Sequence, residues 1–264
     1  MFESMLRGES GAMSEFGYWM LRYRRTWRRS IVMSVANPVL FFVGIGVGLG
    51  RLIDAAGGSP AHGVPYLDYL APGLLAAAAM QIASIESAMP AYHSLHLHRH
   101  YRNAAVTPVE PAGILLGHVL FVTFRVATSA AAFYLVMVCA GLFRSAWVVL
   151  ALPVAVLTGM AFAAPFMALG VLVRREGTLR GTYRFLIMPL YLFSGTYVAV
   201  TQFPAVIRPL AYALPLWHGV QLCRALTLGN VTLGPALGHL AYLIAVTAAG
   251  LYVSRVAYRR RLHD

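Results

Sequence analysis

Few residues in this chain are of a type and spacing that could do chemistry. His93, His96, His98 and His100 crowd into one short stretch, with Arg99 and Arg102 among them. Imidazole is the commonest transition-metal ligand, so the run invites a metal reading. Against that reading, no Asp, Glu or Cys stands nearby, a two-residue spacing fits one helix face poorly, and the arginines repel a cation. The stretch reads as an exposed polar elbow, and no metal site is expected. Glu86 and Arg125 are a second feature, each isolated in a long apolar run. A charge at the centre of a membrane helix costs roughly 2.5–3.5 kcal/mol on insertion scales, so each needs a partner or water. The structural reading is a salt bridge that locks two helices; the alternative is a direct role in substrate handling, shared with Gln81. Ser, His and acidic residues are too scattered to mark a nucleophilic triad, and no catalytic residue is assigned. All 21 basic residues are arginine, which removes the phosphate-loop lysine and the Schiff-base lysine, and no Gly-rich phosphate loop is present. Cys139 and Cys223 lie in apolar stretches without metal-ligand spacing and read as packing residues.

These residues must be positioned by membrane helices. The chain has 264 residues, 59% of them hydrophobic and only 11% charged, with a mean hydropathy of +0.68. Soluble domains average about 25% charged residues, so the bilayer is the natural solvent. At roughly 20 apolar residues per crossing, the length accommodates about six spans and no sizeable soluble domain. The apolar runs place them at 30–50, 69–91, 111–143, 145–173, 185–201 and 233–255. Before them, residues 1–29 set Phe16, Trp19, Met20, Tyr23 and Trp27 at three- and four-residue spacing among arginines, as an interfacial helix would, the alternative being a cationic flank of the first crossing. Within the first span, Gly44, Gly46, Gly48 and Gly50 make two overlapping small-xxx-small spacings suited to close helix packing. Between spans 5 and 6, the apolar run Gln202 to Arg224 is cut by Pro204, Pro209 and Pro215 into pieces too short to cross. It reads as a pair of short re-entrant or interfacial helices. The expected fold is an all-α integral membrane protein, with a transmembrane domain at 30–258 and a short tail at 259–264.

The net charge of +12 fits this picture better than a nucleic-acid partner, which is not expected. With six crossings, sixteen arginines fall on the side of both termini, four on the other, and Arg125 lies within a span. The positive-inside rule then puts both termini in the cytoplasm, with the arginines beside anionic membrane lipids.

Several ordered stretches carry a resemblance. Leu70-Ala71-Pro72-Gly73-Leu74-Leu75 opens the second span, Met80-Gln81 and Glu86 follow, and Thr107-Pro108-Val109 leads to Gly117 and Arg125. Later, Phe193-Ser194-Gly195 precedes Phe203-Pro204, and Leu214-Pro215-Leu216-Trp217-His218 runs through Arg224 to Leu228-Gly229. Over residues 14 to 260 the chain resembles the six-helix permeases of type-2 ABC transporters, in particular the lipo-oligosaccharide (nodulation-factor) and drug exporter permeases of bacterial inner membranes.

That resemblance implies a permease subunit that dimerises with an identical or a different chain. It also implies a separate ABC ATPase subunit that carries ATP and Mg, leaving this chain with no cofactor and no ATPase activity of its own. By position, coupling to the ATPase falls on His98, Arg99, Arg102, Asn103, Ala104, Thr107 and Pro108, although the histidine-rich run departs from the family's usual pattern. Gln81, Ser84, Tyr191, Ser194 and Tyr197 would line a pathway for an amphiphilic or lipid-linked cargo or a drug. The competing readings are an intramembrane lipid-modifying enzyme using the histidines and Glu86, and a non-transporting assembly subunit.

Overall fold

The computed structural model describes residues 2–56, 64–107, 109–142 and 144–263, the side chains of 2–10, 29–35, 37, 38, 41, 47, 49 and 263 excepted. Among the described residues the chain is helical and contains no β-strand. Helix α1 runs Phe2–Phe41 and continues through a π segment, Phe42–Leu49, and a last turn, Gly50–Ala55. Helix α2, Tyr66–Tyr92, continues as a π turn, His93–Leu97. A short helix α3, His100–Ala105, leads to α4, Pro111–Cys139, and a 3-10 turn at Ala146–Leu150 introduces α5, Ala151–Leu172. Helix α6, Glu176–Thr182, passes through a π turn into Met188–Phe193; after short turns come α7, Pro215–Leu228, and α8, Leu233–His263.

The helix starts follow from local chemistry. Pro111 and Pro215 occupy first-turn positions of α4 and α7, where a missing N–H costs nothing and φ is already helical. At the start of α2, the Asp54 carboxylate accepts from the Tyr66 N–H at 2.9 Å, and Asp68 places negative charge in the first turn, where the helix dipole favours it. Helix α7 ends at Gly229, whose φ of 80° is the left-handed closure that glycine adopts without strain.

Helix α2 is the centre of the molecule. Leu70, Ala71, Ala76, Ala77, Ala79, Met80 and Ala83 are fully buried. Small residues set the spacing: a Cβ at Gly159 would stand 3.0 Å from the Ala79 carbonyl oxygen, and one at Gly170 would stand 2.9 Å from the Ala91 methyl. Helices α2 and α5 therefore approach backbone to backbone, the packing available where lipid removes any hydrophobic drive between helices. Gly250 of α8 lies equally close to Pro165 of α5.

Four stretches among the described residues, Tyr66–Leu97, Pro111–Cys139, Ala146–Leu172 and Leu233–Leu262, are long and apolar enough to cross a membrane. They carry the expected spans at 69–91, 111–143, 145–173 and 233–255, with the 111–143 span ending at Cys139 and the last extended to His263. The remaining two expected spans differ. The 30–50 run lies inside one continuous helix from Phe2 to Ala55, with no break after residue 29, and most of its side chains fall outside the described residues. The 185–201 run is displaced toward the N-terminus: helix occupies Glu176 to Phe193, and residues 194–199 turn back. The i,i+4 pair Glu176 and Arg180, joined at 2.6 Å, extends the helix into what the sequence reads as a loop.

Among the described residues, the glycine run of α1 packs on one side. Gly46 and Gly50 face Leu67 and Tyr66 of α2, whereas a Cβ at Gly44 or Gly48 would meet nothing within 4 Å.

Candidate functional site

The π turn His93–Leu97 carries α2 into the elbow. His98 N–H donates to the His93 carbonyl at 2.8 Å, and Arg99 then turns left-handed with φ of 51°. Arg99 is the only non-glycine with positive φ among the described residues. That conformation costs an L-residue about 1–2 kcal/mol, so the neighbours must hold it. They do so through buried anchors on α3. Tyr101 is fully buried, with its hydroxyl 2.8 Å from His118 Nδ1 and 3.4 Å from the Tyr258 hydroxyl. Burial pushes the Tyr101 phenol well above its ordinary range, so it stays protonated. His100 Nε2 lies 2.9 and 3.0 Å from the two carboxylate oxygens of buried Glu15, and its ring stacks on Tyr18 with centroids 3.7 Å apart.

Held this way, the elbow turns its remaining side chains outward. His98, Arg99, Arg102, Asn103 and Thr107 are exposed, and Ala104 is half-buried, its carbonyl accepting from Thr107 Oγ1 at 2.6 Å. Pro108 lies outside the described residues. The four imidazoles have different partners: His93 faces Glu176 at 3.6 Å and meets the exposed His98 ring edge to face at 6.4 Å, His96 packs on the Tyr92 ring, and His100 faces Glu15. Among the described residues no three His, Cys, Asp or Glu side chains are grouped to hold a metal. The hydrogen bond from Arg180, aided by His93, holds the Glu176 carboxyl below its ordinary value.

A chain of polar contacts runs from the elbow into the bundle. His118 Nε2 lies 3.0 Å from the Glu86 carbonyl, which can only accept, so Nε2 carries a hydrogen; in the uncharged ring Nδ1 then accepts from Tyr101. Arg125 lies two turns beyond His118 along α4, about 10 Å. Its Nε donates to Glu86 Oε1 at 3.0 Å, its Nη1 donates to the Tyr23 hydroxyl at 3.1 Å, and its guanidinium sits 4.6 Å over the Tyr23 ring. The Arg125 side chain is 2% exposed and that of Glu86 20%. The structure thus brings Glu86 and Arg125 into direct contact.

Helix α1 forms the third wall. Glu15, Trp19 and Tyr23 recur every four residues on one face, and Trp19, 2% exposed, stacks on His118 and Phe121 at 4.5 and 5.4 Å. A Cβ at Gly117 would stand 2.6 Å from the Ala12 carbonyl oxygen, so α1 and α4 touch closely here. The face that the sequence reading lays in the headgroup region is covered by protein at Trp19 and Tyr23, while Arg24, Arg25, Trp27 and Arg28 are exposed. A period of three to four residues marks a face that must be covered and does not say by what. Nothing in the sequence joins Glu15, Trp19, Tyr101 and His118 as a set except the four-residue recurrence on α1.

The expected pathway residues fall into two groups along α2. Ser84 is buried, donates to the Met80 carbonyl at 2.8 Å, and lines a cavity of 250 Å³ with Ile85, Met89, Phe166 and Tyr183; Gln81 is half-buried nearby on α2. Tyr191 and Tyr197 pack edge to face with centroids 5.4 Å apart, and Ser194 donates to the Leu190 carbonyl at 2.5 Å. This second group sits beside the start of α2, where Tyr66 donates to the Tyr197 carbonyl at 3.2 Å and Thr196 lies against Gly73. Ser84 is eleven residues further along the helix than Gly73, about 16 Å away.

The two ends of the bundle are chemically distinct. At one end the elbow meets the turn after α5 and the end of α8, where Tyr92 donates to the Arg174 carbonyl at 3.4 Å and Arg261 to the Leu172 carbonyl at 2.9 Å. At the other, Arg144 pairs with Asp68 at 2.6 Å, and Arg224 reaches the Tyr69 carbonyl at 3.2 Å.

Comparison with known proteins places this architecture. The family model for the ABC-2 type transporter matches residues 18–228. Nodulation protein J of Sinorhizobium fredii is 28% identical over 251 residues, covering 92% of this chain and 94% of that protein. Nodulation protein J of Rhizobium leguminosarum bv. trifolii is 28% identical over the same length, covering 92% and 94%. That of Neorhizobium galegae is 27% identical over 258 residues, covering 96% and 95%.

Proposed function

The chain belongs to the ABC-2 type transporter family, and from that membership we propose that it is the permease of an ATP-driven exporter acting through the elbow at residues 98–108. It is a multi-pass bacterial membrane protein and the permease component of an ABC transporter. In our reading six helices cross the membrane: the four long apolar ones, the 30–50 part of α1, and the stretch leading into Met188–Phe193. Residues 202 to 228 form a re-entrant pair, and both termini lie in the cytoplasm. A separate ABC ATPase subunit supplies ATP and Mg, and a second permease chain, identical or different, completes the membrane unit. The cargo is an amphiphilic or lipid-linked molecule or a drug, moved outward.

The observation that carries the proposal is the exposed, arginine-bearing elbow on a buried polar anchor. Within the coupling segment, which also includes Ala104 and Pro108, the exposed His98, Arg99, Arg102, Asn103 and Thr107 present donors and positive charge to a partner, suiting an acidic or polar groove. The buried contacts of His100 with Glu15 and of Tyr101 with His118 make the elbow rigid, so a push on it reaches Glu86 and Arg125 rather than being absorbed locally. Closure of the partner ATPases would move the elbow, and alternate arrangements of the two sets of helices would expose the cargo path to either side. Gln81, Ser84, Tyr191, Ser194 and Tyr197 line that path in a state other than the one described, because here they fall into two separate groups.

The test is co-purification of the full chain in nanodiscs with a candidate ATPase from the same genome, with ATP hydrolysis measured for wild type and for Arg99→Glu combined with Arg102→Glu. The proposal expects a stable complex whose hydrolysis falls several-fold in the charge-reversed protein. A complex with hydrolysis indifferent to both charges removes the elbow from the coupling role.

A further inference from the structure

Arg224 is the most deeply buried arginine described at the end of the molecule away from the elbow, 8% exposed. Every acceptor it meets is neutral. Nε donates to the Tyr69 carbonyl at 3.2 Å, Nη1 to Gln221 Oε1 at 3.0 Å and Nη2 to the Gly195 carbonyl at 3.0 Å, and the guanidinium lies 3.6 Å over the Tyr69 ring. Among the described residues no carboxylate reaches it: Asp68 is paired with Arg144 at 2.6 Å, and Asp54 accepts from the Tyr66 N–H at 2.9 Å. A buried cation without a counter-charge is costly, and a guanidinium has five N–H donors, of which these contacts use three. Arg224 also lines a pocket of 440 Å³, together with Tyr69, Trp217, Gln221, Asn230 and His239. Among the described residues, no acidic one lines the pocket. Its volume falls within the range of about 300–1,000 Å³ typical of small-molecule sites, and its mix of one cation, two amides and aromatic walls suits a charged headgroup carried on an apolar body.

We propose that this pocket is an anion site, in which Arg224 receives a phosphate or sulfate oxyanion, free or as the headgroup of an amphiphile. The planar fork gives two parallel N–H bonds to such a group, and the three neutral acceptors fix the fork without cancelling its charge. The inference stands on the pocket alone and survives if the coupling role of the elbow does not.

The decisive variant is Gln221→Glu. It replaces the Arg224 partner at 3.0 Å with a carboxylate of nearly the same shape, supplies the missing counter-charge from within, and leaves the packing intact. The full chain is placed in phosphatidylcholine nanodiscs and titrated with inorganic phosphate, with short-chain phosphatidylglycerol and with sodium chloride at matched ionic strength, thermal stability being the readout. Wild type and Arg51→Gln, an exposed arginine that does not line the pocket, are expected to gain stability with phosphate or phosphatidylglycerol over chloride. Gln221→Glu is expected to fold normally and to weaken that binding by about tenfold or more. Saturation by inorganic phosphate identifies a free anion as sufficient; a response to phosphatidylglycerol alone identifies a headgroup with its apolar body. No response above chloride in wild type, or an equal response in Gln221→Glu, overturns the proposal and leaves Arg224 as a clamp between α7, α2 and the turn at Gly195.

Discussion

Breaking the Glu86–Arg125 contact from its two sides gives different costs, and the difference follows from burial. The charges stand 3.0 Å apart, a gross attraction of about 5 kcal/mol at an effective dielectric near 20. Desolvation offsets much of that, but removing one member of a buried pair typically costs about 3–5 kcal/mol, because the other charge is stranded. Glu86→Gln strands the side chain that is 2% exposed, although Tyr23 still offers its hydroxyl and ring face. Arg125→Met strands the one that is 20% exposed and able to reach water, and methionine fills much of the volume. We expect about 3 kcal/mol of destabilisation for Glu86→Gln and about 1–2 kcal/mol for Arg125→Met. The double variant should cost no more than Glu86→Gln alone, a coupling energy of at least about 1 kcal/mol. For a chain of this size these become melting-point losses of roughly 6–12 °C and 2–8 °C. Reversible unfolding in mixed micelles, with melting in nanodiscs alongside, measures all three. Additive single effects, or a larger loss for Arg125→Met than for Glu86→Gln, would refute the argument from burial.

Four further outcomes are expected. Gly117→Leu should separate α1 from α4, since even a Cβ there stands 2.6 Å from the Ala12 carbonyl oxygen; a loss below about 1 kcal/mol in a thermal melt would mean that α1 does not pack as described. Arg99→Gly should keep or slightly raise stability, by up to about 1 kcal/mol, because it relieves the left-handed residue with φ of 51°, and a clear drop in melting temperature would count against that strain. Cysteines at Asn103 and Asn230, introduced one at a time into a Cys139→Ser background, should label from opposite faces of sealed vesicles; labelling from one face contradicts six crossings. The Glu176 carboxyl is held below its ordinary 4.5 chiefly by the Arg180 hydrogen bond, so it contributes its stability at neutral pH and loses it only as pH falls through the lowered value. A carbon-detected NMR titration with a midpoint above 4.5 would show that the contact is absent.

What the sequence discloses and what it hides divide along physical lines. Long apolar runs are legible because the bilayer imposes a minimum length, and the starts at Pro111 and Pro215 are legible because proline suits a first turn. Glu86 and Arg125 are conspicuous because charges are rare in such runs, and that rarity points to pairing without showing the distance. The partners around them are not legible, because Glu15 meets His100 across 85 residues of chain and Tyr258 meets Tyr101 across 157. The expected 185–201 span slips because the helix starts at Glu176 in a charged stretch that hydropathy reads as loop, with the exposed Glu176–Arg180 pair adding modest support. Arg224 reads as one more loop arginine, yet its neighbours Leu222, Cys223 and Leu226 are all buried, and an arginine on such a face calls for a partner.

The most direct test of the central claim, that this permease is driven through its elbow, is site-specific cross-linking. Asn103→Cys in a Cys139→Ser background, reconstituted with the partner ATPase and a short bifunctional reagent, should give a permease–ATPase adduct whose yield changes when ATP is bound. Asn230→Cys, at the far end, should give none. An Asn103 cysteine that never cross-links to an ATPase that demonstrably co-purifies would contradict the account, because the drive would then enter the membrane helices elsewhere.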